Sequence, residues 1–206
     1  MNKIDYNKIM NDEISTFILK PTLLLHSCCA PCSSSVLQRL KQHFCITVFY
    51  YNPNIDLEEE FSKRQNEEIR LIETLNNEDP TNQIKIITTS HQSKDYLNYV
   101  CGLENEKEGG KRCDKCFNLR LEKTCQKAKE MGFEYFSTTL SFSPHKNAQK
   151  LNEIGKEISK KYGIKFLVAD FKKEDGYKKS IELSKKYNLY RQNYCGCKFS
   201  KPKQND

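Results

Sequence analysis

Ten cysteines occur in this chain of 206 residues, and seven of them fall in three short clusters. The first is His26-Ser27-Cys28-Cys29-Ala30-Pro31-Cys32, the second Arg112-Cys113-Asp114-Lys115-Cys116, and the third Cys195-Gly196-Cys197. Thiolate, not thiol, binds metals and attacks disulfides, and it is favoured beside unpaired backbone N–H groups at the positive end of a helix. The first cluster stands where an apolar run gives way to a helical pattern, with Ser33 as candidate N-cap. The second precedes another helical pattern. Its CxxC spacing lets two sulfurs reach one metal or form a redox disulfide. In the third, glycine permits a tight turn, so the CxC pair can ligate metal or close a strained, reducible disulfide.

Seven thiols exceed the four of a tetrahedral zinc, and a [4Fe–4S] cluster also takes four thiolates. Three are then left over beside the cluster if the segments converge, which points to a second redox or metal centre. The spacing is neither that of ferredoxins nor the CxxxCxxC run of radical enzymes that use S-adenosylmethionine. Cys45, Cys101 and Cys125 stand apart and read as packing or surface residues.

These residues need elements to hold them. Short apolar runs at 22–26, 45–51, 83–88, 135–139 and 165–169 predict strands. Between them lie helical patterns at 33–43, 57–75, 94–103, 114–131, 147–162 and 174–188. Phe61, Ile69, Ile72 and Leu75 are the expected inner positions of the second helix, and Gly132 and Gly163 are expected helix ends. Strands and helices alternating at this spacing imply βαβ crossovers. The expected fold is a Rossmann-like, three-layer α/β domain with a parallel sheet and helices on both faces. Its core would cover about 20–188 of a single domain, followed by an irregular, basic, cysteine-containing tail at 189–206. Sites in such sheets lie beyond the carboxyl ends of the strands. That makes the segment Ser143-Pro144-His145-Lys146, which follows a predicted strand end, the best non-cysteine candidate.

No window reaches the roughly 18 continuous apolar residues needed to cross a bilayer. The first fifteen residues lack the apolar core of a secretory signal, so the expected compartment is the cytoplasm, with no membrane partner. A reducing cytoplasm argues against five structural disulfides and for metal or redox chemistry. The net charge is +7 and unevenly placed: residues 141–206 carry 16 Lys and Arg against 7 Asp and Glu. Such a surface suits a polyanion such as RNA.

The segments LLLHSCCAPC, FYYNPNI, EGGKRCDKCFNLRLEKT, STTLSFSPHKN and DFKKEDGYKKSIELSKKYNLYRQNYCGC, in this order, run from about residue 22 to residue 199. As an ordered set they resemble the cobalamin-independent epoxyqueuosine reductases of the QueH type. The resemblance implies an oxidoreductase that reduces epoxyqueuosine to queuosine at the wobble position of tRNAs with GUN anticodons, the last step in making this base. It implies a [4Fe–4S] cluster held by Cys28, Cys29, Cys113 and Cys116. It further implies that Cys195 and Cys197 form a redox-active pair or, with Cys32, ligate a second centre such as one additional iron. The adjacency of Cys28 and Cys29 leaves open that each points to a different metal. His26, Arg112, Lys146, Tyr190 and Arg191 become candidates for holding a ligand sulfur, the tRNA phosphates or the modified base, a tyrosine being able to stack on an unpaired base. The protein would act as a monomer, with an electron donor that the sequence does not name. Two other classes fit parts of the pattern: a tRNA sulfur-transfer enzyme, for which the ATP-binding glycine loop is missing, and a zinc-stabilised RNA-binding module.

Overall fold

A computed structural model describes residues 4–201, so the last five positions of the expected tail lie outside the described residues. Five strands form one parallel sheet: β1 Thr22–Ser27, β2 Cys45–Tyr50, β3 Lys85–Thr88, β4 Tyr135–Thr138 and β5 Lys165–Phe166. Their order is β3-β2-β1-β4-β5. The chain therefore winds outward from β1 to one edge, then returns and winds to the other. The two halves part at the carboxyl ends of β1 and β4, the place where such sheets hold ligands.

Among the described residues seven α-helices accompany the sheet: α1 Tyr6–Ile14, α2 Ala30–Leu40, α3 Glu58–Glu78, α4 Ser93–Tyr99, α5 Lys111–Glu130, α6 Ala148–Tyr162 and α7 Gly176–Lys186. Successive side chains of a strand point to opposite faces. In β1, Leu23 and Leu25 accordingly pack with Val36, Leu37, Leu71 and Leu75 of α2 and α3. Leu24 packs on the other side with Leu121 of α5 and Leu151 and Ile154 of α6. All three leucines are fully buried, each stabilising the fold by about 1.5–3 kcal/mol. This is why β1 reads as a continuous apolar run rather than an alternating one.

The expected α/β architecture is present, with differences that have physical causes. The α1 helix went unpredicted because its sequence is polar; only Tyr6, Asn7 and Met10 are buried, and Asp5 caps it through the N–H groups of Asn7 and Lys8. β5 stops after two residues: the Ser137 hydroxyl takes the Leu167 carbonyl at 2.9 Å, and further on Asn152 holds Ala169, accepting from its N–H at 3.0 Å and donating to its carbonyl at 2.9 Å. In α3, Ile69 is half-exposed, while Arg64 and Glu68 are buried. That stripe of the helix faces the site rather than the apolar core. No described helix is long and apolar enough to cross a membrane.

Candidate active site at the ends of the parallel strands

The first thiol cluster is placed by the junction of β1 and α2. Cys29, extended at φ −178°, is the helix N-cap, and Ala30 and Pro31 open the helix. Proline is tolerated there because its missing N–H would be unbonded anyway in a first turn. Ser33 is therefore not the cap, as the sequence suggested. It sits one turn in, its hydroxyl donating to the carbonyls of Cys29 and Ala30. No side chain caps this helix, so its positive end is left to the sulfurs. The sulfurs of Cys28, Cys29 and Cys32 all lie within 4.8 Å of one another.

Two thiols so close to a third favour its thiolate form. Hydrogen bonds from Cys29 and Cys32 pull Cys28 well below the usual thiol range, helped by the cations of Lys146 and Arg120. The same contacts push Cys29 and Cys32 up. Gln192 adds an N–H donor to the Cys29 sulfur at 2.7 Å.

The second cluster lies within the first turns of α5, not ahead of the helix as expected. Cys113 and Cys116 are three residues apart and share a face. Burial raises both thiols, which corrects the expectation that the helix start would make them thiolates. Partial compensation comes from the Gly109 N–H, 3.2 Å from the Cys113 sulfur, and from Arg120, 4.0 Å from that of Cys116.

The third cluster is carried by an irregular segment, as expected, apart from a short 3-10 turn at Lys198–Ser200. It is not a free arm, however. Arg64, buried in α3, donates to the carbonyls of Tyr194 and Cys195, each at 3.2 Å. Asn54 donates to the Cys195 carbonyl at 3.2 Å, and the Asp56 N–H to that of Gly196 at 3.1 Å. Gly196 has φ +102°, and a Cβ there would meet Ile55 at 2.7 Å, so only glycine fits. Cys197 lies 3.1 Å from the Tyr96 hydroxyl and Cys195 3.0 Å from that of Ser200. Contact with the Cys197 thiol pulls Cys195 down, against burial and with help from Lys146. Cys197 is pushed up. No disulfide joins the two.

The three clusters meet at the divide of the sheet. A cavity of about 390 Å³ is lined by Cys28, Cys32 and Cys195, by Ser143, Pro144, His145 and Lys146, and by Tyr177 and Arg191. Beside it lies a smaller one of about 30 Å³, lined by Cys113, Cys116, Cys195 and Cys197. Cys195, Lys146 and Arg120 border both. Burial alone would lower the Lys146 pKa, but the thiols of Cys28, Cys32 and Cys195 outweigh it and hold the ammonium charged.

The remaining candidates scatter. His26 is fully buried beneath the cavities and lines neither. Burial and the Arg120 cation lower its pKa to about 3, so the ring is neutral. Its Nε2 lies 3.2 Å from Arg120 Nε and 3.1 Å from the Tyr51 carbonyl, and its Nδ1 lies 2.8 Å from the Thr138 hydroxyl. It thus orients Arg120 rather than a ligand sulfur. Arg112 is buried at the edge of the smaller cavity, and its Nη1 donates to the carbonyls of Leu103, Glu104 and Glu106. Tyr190 also points elsewhere: its hydroxyl bonds Glu60 and Lys63 covers its ring at 3.6 Å. Cys125 is fully buried in the core against α6, whereas Cys45 and Cys101 are exposed.

Sequence reasoning missed Arg120, Arg64, Glu68, Gln192 and Tyr177. Arg120 was legible, because Cys113, Cys116 and Arg120 recur at helical spacing on one face. Glu68 is fully buried under the first cluster, beside Ser27 and Ser33, and neither carboxyl oxygen has a well-formed hydrogen bond. Burial raises its pKa to about 7.

Residues 23–203 match the family model described as epoxyqueuosine reductase QueH. The chain is similar to proteins of that description from Streptococcus pyogenes serotype M1, at 40% identity over 96% of this chain and 78% of that protein. It is also similar to those from Staphylococcus aureus, at 38% over 98% and 86%, and from Thermotoga maritima, at 37% over 87% and 90%.

Proposed function

The chain belongs to the epoxyqueuosine reductase QueH family of oxidoreductases, and from that premise we propose that it carries out the last step of queuosine biosynthesis on the wobble base of GUN-anticodon tRNA in the cytoplasm. The observation that carries the reading is the meeting of six clustered thiols and one lysine ammonium around two adjoining cavities, with the seventh thiol, Cys29, packed against Cys28 and Cys32.

The donor set fits an iron–sulfur centre. Soft thiolates select iron–sulfur units or zinc over hard cations, and seven exceed what one zinc takes. Cys28, Cys29, Cys113 and Cys116 would hold a [4Fe–4S] cluster, with Cys32, Cys195 and Cys197 at an adjacent iron or redox centre. A second partition is favoured by one observation: Cys113, Cys116, Cys195 and Cys197 border one small cavity, while Cys28, Cys29 and Cys32 form a compact triad. Bound at either place, a cluster supplies single electrons and a neighbouring iron a Lewis acid for the epoxide oxygen.

The chain's own residues do the rest. Lys146 holds positive charge beside the sulfurs of Cys28 and Cys195, and Arg120 beside that of Cys28, where both would stabilise the oxygen that leaves the substrate. Epoxide reduction breaks two C–O bonds, forms the cyclopentene double bond, takes up two electrons and two protons, and releases the oxygen as water. Oxidation of the Cys195 thiolate and the Cys197 thiol to a disulfide gives up the same two electrons and one proton, and solvent supplies the second proton. An external thiol or one-electron carrier must then reset the pair. The excess of Lys and Arg in residues 141–206 would attract the tRNA.

The test is protein purified without oxygen. It should be brown, carry about four irons and four sulfides per cluster, and convert epoxyqueuosine in tRNA to queuosine. Stoichiometric zinc without acid-labile sulfide would sink the reading.

A further inference from the structure

We propose that Tyr177 is the stacking platform for the modified base, at the mouth of the thiol-lined cavity. The inference rests on the family reading and names a residue that does the gripping. The turn before α7 is tightly determined. Glu174 and Asp175 both take left-handed conformations, at φ +54° and +59°, uncommon for residues with side chains. Gly176 follows with its backbone so close to the Phe171 carbonyl that a Cβ would lie 2.0 Å from that oxygen. Strain of this kind persists only where the surroundings hold it, and it clusters at functional sites.

What the turn delivers is Tyr177, in the first turn of α7. Its ring lies nearly parallel to that of Phe142, with centroids 6.2 Å apart and planes at 28°. Phe142 is itself buried at the end of the 3-10 turn that follows β4. One side of the tyrosine is thus backed by the sheet's own continuation. The residue is still 43% exposed, and it lines the cavity that holds Cys28, Cys32 and Cys195.

The other tyrosines near the cavity are occupied. Tyr190 is covered by Lys63 and tied to Glu60. Tyr194 has Arg64 and Lys201 over its ring, at 5.2 and 5.9 Å. An unpaired anticodon base presents a flat π-face, and proteins that take up such bases stack them on aromatic side chains. A rigidly mounted ring at the mouth pays little ordering entropy for doing so. With the base on Tyr177, its substituent points at the thiols only from one side, so the ring also sets the orientation for reduction.

The experiment compares Tyr177→Ala, Tyr177→Leu and Tyr177→Phe in cluster-loaded protein, using an anticodon stem-loop that carries epoxyqueuosine. Binding is read by fluorescence anisotropy and turnover by nucleoside product, with iron content as control. Alanine should weaken binding roughly 5- to 150-fold, the range of base–aromatic stacking, and raise KM more than it lowers kcat. Leucine keeps the apolar contact with Phe142 but has no π-face, so it should fail like alanine, while phenylalanine should recover most of the binding. Leucine and alanine variants that bind like the wild type would overturn the platform and leave the family reading intact. A wild type that neither binds nor reduces the stem-loop would overturn both.

Discussion

The two thiols of this site drawn most strongly toward the thiolate, Cys28 and Cys195, are held by different means. Cys28 follows the central strand directly, and its neighbours cap and open α2, so the triad is positioned by backbone topology. Cys195 is positioned by side chains. The guanidinium of Arg64 and the amide of Asn54 hold its carbonyl, and α3 grips the same segment at Tyr190 through Glu67. The first arrangement cannot change without unfolding the sheet. The second can be loosened by a single substitution that leaves the core alone. A centre meant to persist suits the first kind of support, and a pair that must alternate between dithiol and disulfide suits the second.

The sharpest break between the two comes from the cysteines. Cys113→Ala should remove both the visible absorption and the activity, because a ligand thiolate contributes directly to retaining a cluster. Cys197→Ala should stop turnover yet leave the cluster largely in place. Iron content, visible absorption and nucleoside product distinguish the outcomes. Equal loss of cluster in both variants would move Cys195 and Cys197 into the cradle and give the compact triad the second centre.

Glu68 tests the rigid side. Its carboxyl titrates near 7 in the folded chain against an ordinary 4.5, so the fold holds the proton that the unfolded chain gives up between those values. Stability from this group is full below pH 4.5 and is lost as the pH rises through 7. In metal-free protein, Glu68→Gln should therefore be more stable than wild type at pH 8, by about 3 kcal/mol, with the difference vanishing near pH 4. Urea melts at the two pH values measure it, and equal gains at both would show that the carboxyl is not the cause.

The side-chain support is tested by Arg64→Lys, which keeps the charge but cannot bridge two carbonyls. Iron content should hold while turnover falls about 10- to 100-fold, the usual effect of losing a partner that orients a reactive group. Unchanged turnover would mean that the segment is held well enough by Asn54 and Asp56. The smallest effect belongs to Cys125→Ala, which lies outside both regions. It should cost about 1 kcal/mol of stability for the lost buried sulfur and nothing in iron content or product.

The alternation of strands and helices was legible because the central strands β1, β2 and β4 are buried on both faces and some helix ends carry their own punctuation, as at Gly163 with φ +76°. The cysteine spacings were legible because they are local. What escaped depends on which way a surface faces. Arg64 and Glu68 look like ordinary solvated residues of a charged helix, and only the packing of residues 190–196 against α3 buries the first. Tyr177 and Tyr190 are the same residue type in one motif. A cavity on one side of α7 and a glutamate–lysine pair on α3 separate them. The helix starts at Ala30 and Lys111 were set too late because proline and charged residues read as loop.

The order β3-β2-β1-β4-β5 also has a consequence for manufacture. A ribosome releases Cys28, Cys29 and Cys32 early, yet Cys195 and Cys197 reach them only after all five strands have been made. During that interval the early thiols stand at a bare helix end with half of their neighbours not yet synthesised. Assembly factors therefore have a timing problem as well as a chemical one: any metal delivered before residue 197 emerges enters an unfinished cradle.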